Sequence, residues 1–224
     1  MNLNEKPISD TKLWSFITLA GNAIGLNMFF LLACLPVVTM GPALCGLFSG
    51  VRFLIRGESW FAGFREGFRK HFWRATIAGL LCNVAFVFLV LNLNSAISFC
   101  MDTGNISPIF TYAIPILPVL MLFGGLWPLN IYIGYNTSDW LKNAVNLCFQ
   151  APLQVLATGA LLVLPAALII YLTNIAFYGA IVILGIYYSL AAFVATILLK
   201  DVLIRYLTQF REENNDEGEN NYEQ

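Results

Sequence analysis

The chain has 224 residues, of which 58% are hydrophobic and only 11% are charged, and its formal net charge is −1. Soluble domains carry roughly 25% charged residues, so this deficit excludes an ordinary soluble domain and indicates a membrane protein. No basic tail or basic domain is present, which argues against nucleic-acid binding.

The first two apolar segments form a predicted hairpin. Residues 13–35 cover about 34 Å as a helix, enough to cross a bilayer. Residues 31–34 resemble a lipoprotein cleavage box, but the apolar run is too long for a signal peptide, which favours a retained helix. The second segment, 40–55, either crosses the bilayer with local thinning or enters and returns. The turn between them is assigned to Pro36, Thr39, Gly41 and Pro42, with Thr39 as the expected N-cap of the second helix.

Residues 59–74 are predicted to form an amphipathic elbow helix, with its phenylalanines on one arc and charged residues opposite or beside it. Such a pattern suits a helix lying at the membrane interface, its rings in lipid and its cations toward headgroups or a partner. The candidate docking residues for a partner or a lipid are Arg52, Arg56, Phe61, Phe64, Arg65, Phe68, Arg69 and Lys70.

Four further apolar helices are predicted over residues 75–99, 108–135, 152–172 and 178–199, with a second amphipathic elbow over 138–150. Prolines Pro115, Pro118 and Pro128 are expected to interrupt or kink the helix over 108–135, and Pro165 the next one. The expected fold is an all-α integral membrane bundle of six hydrophobic helices with two cytoplasmic elbows. It forms a single membrane domain over residues 1–211, followed by a disordered acidic tail over 212–224.

All twelve basic residues lie on one side of this arrangement, in the N-terminal segment, the two elbow regions and the C-terminal end. The opposite loops, 36–39, 100–107 and 173–177, contain none. The Lys/Arg bias of loops sets orientation, so both termini are predicted to be cytoplasmic.

Catalytic and metal-binding groups are sparse. The five cysteines form no C-x-x-C pair, and His71 is the only histidine, a spacing that does not suit a zinc site. No P-loop, H-E-x-x-H or G-x-S-x-G motif occurs, and no predicted span contains an ionisable residue. We therefore expect no enzyme, no cofactor and no bound metal.

Neutral polar residues do occur inside the spans: Asn22, Asn27, Asn83, Asn92, Asn94, Asn130, Tyr132 and Asn136. They suit either hydrogen bonds between helices or a path for an uncharged solute such as a sugar. A weak internal echo pairs Trp60 with Trp140 and Gly79 with Gly159, each 80 residues apart, as in two parallel repeats.

The segment L-P-V-V-T-M-G-P-A-L-C-G-L-F, followed by R-G-E and F-x-x-G-F-R-K-H-F, resembles the YesL-like family of small bacterial multi-pass membrane proteins. The biochemical function of that family is unknown. Its members are often encoded beside carbohydrate-uptake and polysaccharide-degradation genes, which implies a role near sugar import by association only. The family brings no catalytic residues.

The expected function is a non-enzymatic accessory protein of carbohydrate uptake in the bacterial cell membrane. It would contact membrane lipids and carbohydrate transporter subunits, and dock a partner or lipid through the Arg/Phe elbow. The alternative is a small facilitator that passes a neutral solute between kinked helices.

Overall fold

The computed structural model describes residues 12–70, 72–132, 140–171 and 187–205. No strand occurs in these ranges, and five helices are long and apolar enough to cross a membrane, or six if one bent pair forms a single span. The predicted all-α membrane fold is therefore confirmed.

The eight helices are bounded as follows: α1 Lys12–Cys34, α2 Met40–Ile55, α3 Trp60–Lys70, α4 Phe72–Thr103, α5 Ser107–Tyr132, α6 Trp140–Gln150, α7 Pro152–Tyr171 and α8 Tyr187–Arg205. A short 3-10 turn, Val37–Thr39, precedes α2. The predicted tail over 212–224 lies outside the described residues, as do 133–139 and 172–186.

Helix α4 is longer than predicted at both ends. Residues 72–74 belong to it rather than to the elbow, and residues 100–103 are helical rather than loop. Gly104 ends the helix with φ +71°, and its N–H donates to the Cys100 carbonyl at 2.8 Å. This left-handed cap fixes the boundary, whereas the sequence prediction had taken the charge of Asp102 as the loop signal.

The expected interruption of the proline-rich helix is wrong. Helix α5 continues from Ser107 to Tyr132 through Pro115, Pro118 and Pro128, and α7 continues through Pro165. Each proline removes one backbone donor, and a transmembrane helix tolerates this loss without ending.

The turn before α2 also differs from the prediction. The Thr39 hydroxyl does not cap α2 but donates to the carbonyls of Ala33 at 2.6 Å and Pro36 at 2.8 Å. It thereby ties the turn to the end of α1. Gly41 and Pro42 lie in the first turn of α2, where both are buried. Proline suits this position because its missing N–H has no helical acceptor there.

Helices α1, α2 and α8 enclose one side of the core. Leu26 of α1 packs on Gly50 of α2. The Oδ1 of Asn27, which is fully buried, accepts a hydrogen bond from the backbone N–H of Ser189 in α8 at 3.1 Å. The first and last described helices are thus joined by a buried polar contact.

The internal echo corresponds to a repeated helix crossing. In the first unit, a Cβ on Gly41 of α2 would collide with the Ala75 carbonyl of α4. In the second, a Cβ on Gly124 of α5 would collide with the Val155 carbonyl of α7. Positions 75 and 155 are 80 residues apart, the spacing of the sequence echo.

Candidate functional site

Helix α3 is held against α2 by two glycines one helical turn apart. A Cβ on Gly63 would lie 2.7 Å from the Phe53 ring, and one on Gly67 would lie 2.6 Å from the Cys45 carbonyl oxygen. Position 63 thus faces the end of α2 and position 67 faces its middle, so α3 runs back along α2. Small residues at this spacing allow such close approach in lipid. The sequence analysis missed this pair because it read Gly63 and Gly67 only as members of an elbow.

The phenylalanines of α3 pack mainly against protein. Phe64 is buried, its ring lies on Gly46 of α2, and it stacks with Phe68 at 5.9 Å between ring centroids. Phe29 of α1 contacts Phe61 edge-on at 5.2 Å. The expectation that these rings lie in lipid is therefore wrong for Phe64 and for most of Phe68, because the glycines of α2 provide a closer apolar surface. Phe61 remains 46% exposed.

The charged side of α3 faces away from α2. Arg65, Arg69 and Lys70 are exposed and border a shallow, open depression, together with Ala62 and Glu66. Three cations against one carboxylate leave this surface positive. We call these three cations with Phe61 the α3 cationic face.

Arg52 and Arg56, which the sequence grouped with the elbow, belong to a second site. They line a groove of about 300 Å³ between the C-terminal half of α2 and α8. Helix α8 contributes Lys200 and Thr196 to the groove, and its apolar residues are Ile55, Phe193, Ile197, Leu203 and Ile204. The Thr196 hydroxyl donates to the Ala192 carbonyl at 2.7 Å, so it is engaged within its own helix. We call this site the α2/α8 groove.

The asparagines of the spans have separate neighbours. Asn27 contacts α8, Asn83 donates to the Met40 sulfur at 3.6 Å, and Asn92 donates to the Phe88 carbonyl of its own helix at 2.7 Å. Two of these three contacts join helices, as the structural interpretation of the sequence expects. They lie at three different places and do not form one polar path.

Within the described ranges, no three His, Cys, Asp or Glu residues are grouped closely enough to hold a metal ion. His71, between α3 and α4, lies outside the described residues. The two cationic surfaces are therefore the candidate sites that the geometry offers.

Residues 12–93 match a family model described as "Protein of unknown function, DUF624". The YesL-like family falls under the same description. The resemblance to this family is confirmed. The match covers α1 to α3 and most of α4, and so includes the α3 cationic face and the α2 side of the groove. No curated protein and no solved structure matches the chain.

Proposed function

We propose that this chain is a non-enzymatic membrane accessory protein, associated with carbohydrate uptake or utilisation, that docks a partner through the α3 cationic face. The observation that supports the proposal most is the division of α3 into two sides. Gly63, Phe64 and Gly67 fix one side on α2, while Arg65, Arg69 and Lys70 are exposed on the other. A rigidly anchored helix presents its outer side chains with little entropy to lose on binding.

The chemistry of this surface favours an acidic protein partner. Complementary charge speeds encounter and fixes the register of binding, and the half-exposed Phe61 supplies an aromatic anchor beside the cations. Carbohydrate transporter subunits are the proposed partners, and this part of the proposal derives from the family resemblance.

We further propose that the protein lies in a bacterial cell membrane as a multi-pass protein with both termini in the cytoplasm. The distribution of all twelve basic residues supports this orientation. In a variant whose five native cysteines are replaced by alanine, Asn105→Cys should react with a membrane-impermeant maleimide in intact cells. Glu58→Cys should react only after the membrane is permeabilised, and the reverse pattern would overturn the orientation.

The docking proposal is tested with Arg65→Glu combined with Arg69→Glu. The full-length protein is purified from native membranes with and without these changes, and transporter subunits are quantified by mass spectrometry. We expect transporter subunits to copurify with the wild type and to fall at least about tenfold in the variant, because two attractive charges become repulsive.

The matched control is Arg56→Glu combined with Lys200→Glu, which reverses two cations in the α2/α8 groove and leaves the α3 cationic face intact. It should retain the transporter subunits. The proposal is wrong if the wild type never enriches transporter subunits and its deletion leaves growth on oligosaccharides unchanged.

The alternative, a facilitator for a neutral solute, has less support. Its motive was a series of helices broken by proline, but α5 is continuous, and the described asparagines do not converge. A facilitator would raise sugar flux into liposomes above that of empty vesicles, and the α3 double variant would leave that flux unchanged.

A further inference from the structure

Two helices far apart in sequence bring three cations together in the α2/α8 groove. Arg52 and Arg56 come from the last turn of α2 and the residue that follows it, and Lys200 comes from α8, 144 residues beyond Arg56. Cations near a helix C-terminus suit the helix dipole, which accounts for the arginines on α2. The dipole of α2 does not account for the additional lysine from α8.

The lining of the groove is apolar apart from these cations and Thr196, and no carboxylate belongs to it among the described residues. Ile55, Ile197 and Ile204 are each more than half exposed there. Each contributes apolar surface whose burial is favourable by about 25 cal/mol per Å². The site therefore combines an anion-binding edge with an uncovered apolar surface.

We propose that the α2/α8 groove binds one anionic phospholipid, with the phosphate on Arg52, Arg56 and Lys200 and an acyl chain against the exposed isoleucines. This site is distinct from the α3 cationic face and does not depend on the proposed docking function.

Position and size both fit this ligand. The segments Val37–Ile55 and Tyr187–Arg205 are each long and apolar enough to cross a membrane, and the cations lie toward the C-terminal end of each. Lysine and arginine at the ends of membrane helices lie at headgroup level, and basic pockets between such helices bind anionic headgroups. A volume of about 300 Å³ is at the lower end of the range for ligand clefts.

The acidic segment over 212–224 is the competing occupant. It carries six carboxylates and follows the groove-lining helix in the chain, so its charge would also suit the three cations. Its binding would leave the anionic lipid with no preference for the groove until the segment is removed.

The experiment uses the full-length protein reconstituted in nanodiscs of equal phosphatidylglycerol and phosphatidylcholine with identical acyl chains. The protein is then extracted in mild detergent, and retained lipids are counted by native mass spectrometry. We expect about one phosphatidylglycerol per chain. Arg56→Glu with Lys200→Glu should lower its retention at least about 25-fold, since each cation near a membrane surface contributes roughly fivefold.

The matched variant, Arg65→Glu with Arg69→Glu, changes the net charge equally and should keep the lipid. Equal loss in both variants would show a general charge effect and overturn the groove as a site, as would equal retention of both lipids by the wild type. A preference for phosphatidylglycerol that emerges only after deletion of residues 212–224 would assign the groove to the acidic segment. Failure of the docking proposal changes copurified proteins and not retained lipid, so the two outcomes are separable.

Discussion

Gly41 of α2 and Gly79 of α4 meet without any side chain between them. A Cβ on Gly79 would lie 2.9 Å from the Gly41 Cα. The same relationship recurs between α5 and α7, where a Cβ on Gly124 would lie 2.9 Å from the Gly159 Cα. Both crossings bring backbone against backbone, so neither can yield by rotating a side chain.

We expect Gly79→Ala and Gly124→Ala each to lower the free energy of unfolding by about 1–3 kcal/mol, since overpacking a tight contact forces the helices apart. Thermal unfolding in a fixed detergent measures the change. Gly21→Ala is the control, because nothing lies within 4 Å of the added methyl group. Equal melting temperatures for all three variants would contradict the close crossings.

Phe64 and Phe61 separate packing from docking on one helix. Phe64→Ala removes a buried ring and should cost about 3–5 kcal/mol in stability. Phe61→Ala removes a half-exposed ring, so it should leave the melting temperature nearly unchanged and weaken copurification of the partner. A larger loss of stability in Phe61→Ala would show that the two rings have been assigned the wrong roles.

Gly67 should be the residue that keeps α3 on α2. In Gly67→Ala, the new methyl group meets the backbone of Cys45 and the Cβ of Ser49, each at 2.6 Å. We expect faster hydrogen exchange over residues 60–70, because local opening requires less free energy when packing is strained. Ala62→Val, on the exposed side of the same helix, adds bulk without a clash and should exchange like the wild type.

Asn27 should contribute through its buried hydrogen bond. Asn27→Ala leaves the Ser189 N–H without this acceptor, at an expected cost of about 1–3 kcal/mol. Asn22→Ala, five residues earlier on the same helix and only half-buried, should have a smaller effect on thermal unfolding. The hydrogen bond has no structural role if the two substitutions are equivalent.

The sequence predicts the helices well where an apolar run has a clear end. The run that ends at Leu35-Pro36 gave α1, and the phenylalanine spacing gave α3. It predicts less well where the boundary depends on backbone geometry, because Gly104 ends α4 beyond a charged residue that resembled a loop. Proline was misleading in α5, since one missing donor per proline does not end a membrane helix.

The candidate site was predicted only in part for a related reason. Hydrophobic periodicity locates an amphipathic face but does not say what covers it. The phenylalanines of α3 were assigned to lipid, although the glycines of α2 cover Phe64. The partnership of Arg56 with Lys200 depends on α8 returning to α2, and no local pattern in the sequence encodes a contact over that separation.

The contact between Asn27 and Ser189 also constrains the order of assembly. The two residues are separated by 162 positions, which a ribosome needs about 10–30 s to synthesise at 5–20 residues per second. During that interval α1 has a side-chain amide at a bilayer-facing position without its final donor. A chain released before α8 is made would keep this amide exposed, giving the cell's quality-control proteases a chemical mark of incomplete synthesis.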